Sequence, residues 1–362
     1  MPAWLDDMIR AVTGVLALLP VVVLVAIAAA PRLAAQKGGI DETGPYDPVL
    51  NWFKPLHEGR IQCVSGVAAE SPDRIYLVTE VEVAASQPAG GCTPERSQPN
   101  AHSHFILVVD GTGKVIEDWS QWNSLFGFPH AVKINPYDPD KHVWVVNRDS
   151  HQIHKFTRDG KQLVMTLGGP FRDPGADERH FGLPADIAFL PDGTFFVADG
   201  YFNSRIVKFD KNGKYLLAWG TNGSGPGQFK VPHGVAVDGQ RRVYVADRDN
   251  NRIQVFDEDG HYLDEWRNIR GAVAHVLATR DQAVWVLTLT TARLLKYDLA
   301  GHLQTYWGTE SRQRPFPGSL SGPHQFSVDS AGNLYVADFR NQVVKFVPKK
   351  GADPSRLVGQ PY

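Results

Sequence analysis

The chain has 362 residues, 43% of them hydrophobic and 21% charged, a balance that excludes a disordered polar chain and supplies apolar material for a large core. A formal net charge of -2 leaves no basic surplus and argues against a nucleic-acid partner. The 34 glycines and 25 prolines suit many short strands joined by turns.

Residues 11–30, Ala11 to Ala30, carry no charge and are long enough to span a bilayer as a helix. The small residues Ala26 to Ala30 also suit signal-peptide cleavage, against which Pro31, Asp6 and Asp7 weigh. Segment 1–36 is therefore read as a signal peptide or membrane anchor. Either exports the rest, to be secreted or held on the membrane facing the periplasm or extracellular space. Residues 37–48 read as a linker, 49–350 as the folded domain and 351–362 as a C-terminal tail. Two cysteines, Cys63 and Cys92, fit an oxidising compartment. Bridged, they close a loop of about 30 residues and stabilise by roughly 3–4 kcal/mol on the loop-entropy model; two buried thiols are the alternative.

From there one unit recurs at a spacing of about 40 to 50 residues, the signature of a repeat architecture. Its second strand begins at Ile75, Val143, Phe195, Val243, Val284 and Leu334, giving six copies. A short apolar strand precedes each, and another follows, as in Arg205-Ile-Val-Lys-Phe and Arg252-Ile-Gln-Val-Phe. A fourth often ends in tryptophan, at Trp119, Trp219, Trp266 and Trp307. Four antiparallel strands repeated six times give an all-β fold, a six-bladed β-propeller behind an N-terminal transmembrane or signal helix. A free edge would invite aggregation, so the ring needs closing. Val49-Leu-Asn-Trp52-Phe53 is the expected outer strand of the last blade, with Arg356-Leu-Val-Gly359 as its rival.

Aligning the copies exposes one informative column. Ten residues ahead of the second strand stand Ser65, His130, Ala185, His233, Ala274 and His324; for His130 the gap is thirteen, because Asn135-Pro-Tyr-Asp-Pro-Asp140 lengthens the turn. Histidine thus falls on every second blade. Alternate blades of a six-bladed ring stand about 120° apart, so three imidazoles converge on the axis at one mouth. Three neutral imidazoles with an open fourth position are the ligand set of a catalytic zinc. The plain alternative is that Pro-His opens a strand for packing reasons. His275 falls one residue out of the column, while His102, His104, His142, His151, His154, His180, His261 and His302 read as loop or surface residues.

Second strands run back to the same mouth, so the residues after them face the histidines. They include Glu80, Arg148, Tyr201 and Arg248. Tyr201 reads as a base whose phenolate a guanidinium and a metal ion would favour, against simple loop packing. Arg205, Arg252, Asn203 and Asn251 recur at one blade position and read as structural cross-links between Asp-bearing turns.

The segments Asp199-Gly-Tyr201-Phe-Asn-Ser-Arg-Ile-Val, Gly227-Gln-Phe-Lys-Val-Pro-His233 and Val245-Ala-Asp-Arg248-Asp-Asn-Asn-Arg-Ile-Gln resemble the peptidyl-α-hydroxyglycine α-amidating lyases, zinc enzymes among the NHL-repeat propellers. The resemblance covers most of residues 56–348. It implies zinc on His130, His233 and His324, a catalytic tyrosine at Tyr201 and an active-site arginine at Arg248. It also shows departures. The family's second active-site arginine falls near Glu80, its charge either reversed there or moved to Arg148, so Glu80 and Arg148 are candidate substrate contacts. Gly322 replaces a methionine, and Gln325 stands where the family has a calcium-ligating aspartate. Gly182 and Phe202 occupy its disulfide positions. The implied activity is an exported lyase cleaving a carbinolamide to an amide and a glyoxylate-type product, on a small-molecule or peptide substrate with a hydroxyglycine-like end. The alternatives are a non-catalytic NHL propeller that binds a protein or cell-envelope ligand, and a zinc hydrolase using the same histidines.

Overall fold

Short apolar runs rich in valine, isoleucine and aromatics pair best on a pleated, half-buried surface. In the computed structural model, which describes residues 42–84, 104–308, 317–338, 340 and 342–362, they form six four-stranded antiparallel sheets. The innermost strands are Arg60–Ser71, Pro129–Ile134, Asp186–Phe189, Pro232–Val237, Val273–Thr279 and Pro323–Val328. Each touches its neighbours around the ring, and the first contacts the last. This is the six-bladed propeller that the repeats predict. The apolar run 11–30 and Cys92 lie outside the described residues; Cys63 is buried in the first inner strand. Among the described residues no helix is long and apolar enough to cross a membrane.

The ring closes through its N-terminal side. Tyr46–Val49 pairs antiparallel with Gln342–Pro348 and supplies the outer strand of the last blade. The expected strand beginning at Val49 is thus placed too late by three residues. Trp52, which imitates a fourth-strand tryptophan, instead donates its indole N–H to Gly111 O at 2.9 Å and packs on Tyr335. The rival segment is no blade strand either. It runs across the opposite face, where Val358 N donates to Tyr46 Oη at 2.9 Å and Pro361 bridges Thr279.

The core lies between blades. Six clusters of buried side chains fill the six interfaces. Fourth-strand tryptophans seal their outer ends against the next blade's turn. A Cβ at Gly260, whose φ is +84°, would come within 2.7 Å of Trp219, so only glycine serves both the turn and the ring packing.

The Ala-Asp endings of second strands do a specific task. Asp199, Asp247 and Asp338 accept backbone N–H bonds from Gly182 (2.7 Å), Lys230 (2.7 Å) and Ser321 (2.6 Å), in the loops that lead into the inner strands. In blade 2, Asn147 does the same for Gly127. The carboxylates are held in turn by arginine: Arg205 Nε bonds Asp199 at 2.9 Å, and Arg252 Nε bonds Asp247 at 2.8 Å. The cross-linking role expected of Arg205, Arg252 and Asn203 is what these bonds describe. Asn251 departs from it: Asn250, not Asn251, donates to Asp247 (2.8 Å), because blade 3 carries one more residue in this turn. Asp247→Ala would leave the buried Arg252 with Glu265 (2.8 Å) as its one carboxylate partner and release the loop before His233, costing about 2–4 kcal/mol. Thermal melts should show a Tm drop of about 5–10 °C; a drop under about 2 °C would contradict this reading.

Candidate metal centre

His130, His233 and His324 each begin an inner strand of an even-numbered blade, directly after a proline. They are buried, and one ligand nitrogen from each lies within 4.8 Å of the others. Their ring centroids are 4.4–4.9 Å apart with planes 73–88° to one another.

Their orientation comes from the odd-numbered blades. Nδ1 of His130 donates to Ala185 O at 2.7 Å, that of His233 to Ala274 O at 2.6 Å, and that of His324 to Ser65 O at 2.6 Å. The acceptors are the non-histidine members of the same column. Each bond fixes the Nδ1–H tautomer and leaves the Nε2 lone pair for the axis. Sequence reasoning missed these partners, since backbone carbonyls leave no mark in a sequence. The only trace is that Ser65, Ala185 and Ala274 are small enough to admit a neighbouring ring. Burial lowers all three imidazoles, and adjoining positive groups add to this, taking His324 to about 4. They are therefore neutral at pH 7, the form that binds a metal without first losing a proton. Three converging, pre-oriented neutral nitrogens fit one transition-metal ion, and zinc suits that donor set.

Tyr201 adjoins the histidines. Its hydroxyl lies 2.9 Å from His130 Nε2, 2.8 Å from His233 Nε2 and 3.2 Å from Arg248 Nη1. The guanidinium carbons of Arg148 and Arg248 stand 5.1 and 5.0 Å from its ring centroid. Both arginines open one-turn 3-10 segments, Arg148–Ser150 and Arg248–Asn250, and bond the following aspartate at 2.7 and 2.8 Å. In the protein alone, burial raises the Tyr201 phenol, outweighing the lowering by Arg248 and Arg148. The expected phenolate is thus not produced by the guanidinium groups by themselves. Glu80 is also buried, near Arg148, and burial pushes its carboxyl up to about 8 against the pull of that arginine.

Two histidines read as loop or surface residues are structural. His154 is buried in the third strand of blade 2, held near 4 by burial, with Nδ1 3.1 Å from Thr166 Oγ1. His151 caps the Arg148 turn with φ +58°, and its Nδ1 accepts from Leu183 N at 2.9 Å. At the positions of the family's disulfide, Phe202 N donates to Gly182 O at 2.9 Å, so a backbone bond joins those segments.

A family model described as NHL repeat matches residues 229–256. Peptidyl-glycine alpha-amidating monooxygenase B of Xenopus laevis is 33% identical over 270 residues, covering 68% of this chain and 29% of that protein. Peptidyl-alpha-hydroxyglycine alpha-amidating lyase 1 of Drosophila melanogaster is 31% identical over 286 residues, covering 72% and 51%. NHL repeat-containing protein 3 of Mus musculus is 35% identical over 265 residues, covering 69% and 74%. The chain spans between about a third and a half of the length of the two amidating relatives. On these identities it belongs to the NHL-repeat β-propeller family of the peptidyl-α-hydroxyglycine α-amidating lyases.

Proposed function

We propose that the protein is an exported zinc-dependent lyase that splits a carbinolamide, N–C(OH), into an amide and a glyoxylate-type aldehyde acid. The observation that carries this reading is the Tyr201 hydroxyl, 2.9 and 2.8 Å from two of the converging Nε2 atoms and 3.2 Å from Arg248. A zinc ion held by His130, His233 and His324 supplies Lewis acidity toward a substrate oxygen and positive charge beside the phenol.

The chain's own groups then have distinct tasks. Tyr201 Oη, as the phenolate, takes the proton of the substrate hydroxyl and becomes the phenol. The C–N bond breaks as the carbonyl forms, its electron pair passing to nitrogen, which takes up a proton and leaves as the amide. Arg248 and Arg148 flank the site where negative charge develops and stabilise it. Glu80 is neutral below about pH 8 and presents a hydrogen-bond donor to the acid end of the substrate.

Tyr201→Phe should lower glyoxylate release from an α-hydroxyglycine amide about 10²- to 10⁴-fold, with metal content unchanged; wild-type rates would remove the base assignment. Above about pH 8 Glu80 ionises and repels an anionic substrate, so KM should rise with pH in the wild type and stay flat in Glu80→Gln. Identical KM profiles in the two proteins would take Glu80 out of the site. Export depends on segment 1–36, and recovery of the chain from cytosol after cell fractionation would contradict it. Glu80, standing near the place of a family arginine, favours a second reading, a non-catalytic propeller that binds a ligand at this mouth; stoichiometric metal with no turnover on any hydroxyglycine amide would select it.

A further inference from the structure

Below the three histidines the channel carries a second tier that the proposed chemistry does not use. Asp186, His275 and Gln325 each stand one residue after a member of the histidine column, and all three are buried. The space enclosed between these tiers is about 10 Å³, room for about one water. Lys133 enters from the inner strand of blade 2. Its Nζ lies 3.2 Å from Asp186 Oδ1 and 2.7 Å from His275 Nε2. Beyond it opens a cavity of about 140 Å³, lined mainly by apolar side chains and bordered by Tyr137 and Tyr362.

Most polar atoms of the tier face protein partners; His275 Nδ1 is buried without a hydrogen bond. Asp186 Oδ2 accepts from Val235 N at 3.1 Å while Oδ1 faces the ammonium. Burial and Lys133 hold the His275 imidazole far below its ordinary value, so its Nε2 lone pair receives the Lys133 proton. Gln325 Oε1 accepts from Val67 N at 3.0 Å and Val132 N at 3.4 Å, and Nε2 donates to Val132 O at 3.2 Å. A Cβ at Gly66 would come 2.6 Å from that Oε1, so the first blade is shaped to admit the amide.

A calcium ion needs six to eight oxygen ligands at about 2.3–2.6 Å. The family's calcium, against which Gln325 in place of its aspartate already weighs, does not fit here. The Gln325 oxygen is neutral and faces two N–H donors, and the tier's one carboxylate, Asp186, already faces a cation. We propose that the ammonium of Lys133 is the resident cation of the channel, binding Asp186 and His275 in place of a second metal ion, so that the propeller takes one metal per chain. The lysine ties blade 2 to blades 3 and 5, while Gln325 ties blade 6 to blades 1 and 2. The inference stands apart from the lyase reading, because no reacting group takes part in it.

The test uses the full chain loaded with zinc and calcium alone as the probe. Between calcium-free buffer and about 1 mM calcium, the range that fills extracellular calcium modules, Tm should move by less than about 1 °C, with no calcium retained by elemental analysis. Lys133→Met should lower Tm by about 5 °C or more, since it leaves Asp186 buried without its cation. Adding Asp186→Asn to that variant should restore at least about half the loss. One bound calcium with a Tm rise of several degrees in the wild type would overturn the proposal, as would a Lys133→Met protein as stable as its parent. If Lys133→Met does not fold, the wild-type calcium titration decides the matter alone.

Discussion

Three hydrogen bonds, each from a histidine Nδ1–H on one blade to a backbone carbonyl on the next, carry the rest of the account. They measure 2.6–2.7 Å and link blades 2 to 3, 4 to 5 and 6 to 1. Each does two things at once. It binds an even blade to an odd one at the channel wall, and it turns a lone pair toward the axis. Losing a group that orients a metal ligand from the second layer typically costs about 10- to 100-fold in metal affinity. Here that layer is main chain, which a point substitution cannot delete but a shift of one blade against another would misplace. Ring closure by Tyr46–Val49 is therefore part of the site as well as of the fold: blade 6 carries His324, and blade 1 carries its acceptor.

The inner strands are positioned by a second device. Carboxylates at the ends of second strands hold the loops that lead into the column, and arginines Arg205 and Arg252 hold the carboxylates. Around Tyr201 the same scaffold is altered by one added residue between Asp199 and Asn203, relative to Asp247 and Asn250. That insertion lets a bulky phenol stand where the neighbouring blades place arginine. A structural repeat thus becomes a chemical site through a single local change, with Arg148 and Arg248 retained on both sides of the ring.

How much of this was legible in the sequence depends on whether a feature lives in side chains or in backbone. The six blades and the histidine trio could be read because strand periodicity and column spacing are side-chain properties. The carbonyl acceptors could not, and neither could the exact closing strand, since Trp52 has the residue type of a fourth-strand end but packs on Tyr335. His154 read as a surface residue because most chains keep histidine half-exposed; its burial against Phe126 follows from a neighbour 28 positions away. The phenolate of Tyr201 was expected from a guanidinium and a metal ion together; in the protein alone, desolvation outweighs the two guanidinium groups. Lys133 gave no sequence signal at all, because a lysine in a strand is ordinary until the channel geometry places it beside Asp186 and His275.

The central claim is that odd and even blades cooperate to present three Nε2 atoms to one zinc ion. X-ray absorption at the zinc edge on the purified full chain measures this most directly. The account predicts one zinc per chain with three imidazole nitrogens at about 2.0–2.1 Å and one oxygen neighbour, collapsing when His130, His233 or His324 is replaced by alanine. Zinc held by sulfur or mainly by carboxylate oxygen, or a spectrum unchanged by those substitutions, would contradict it.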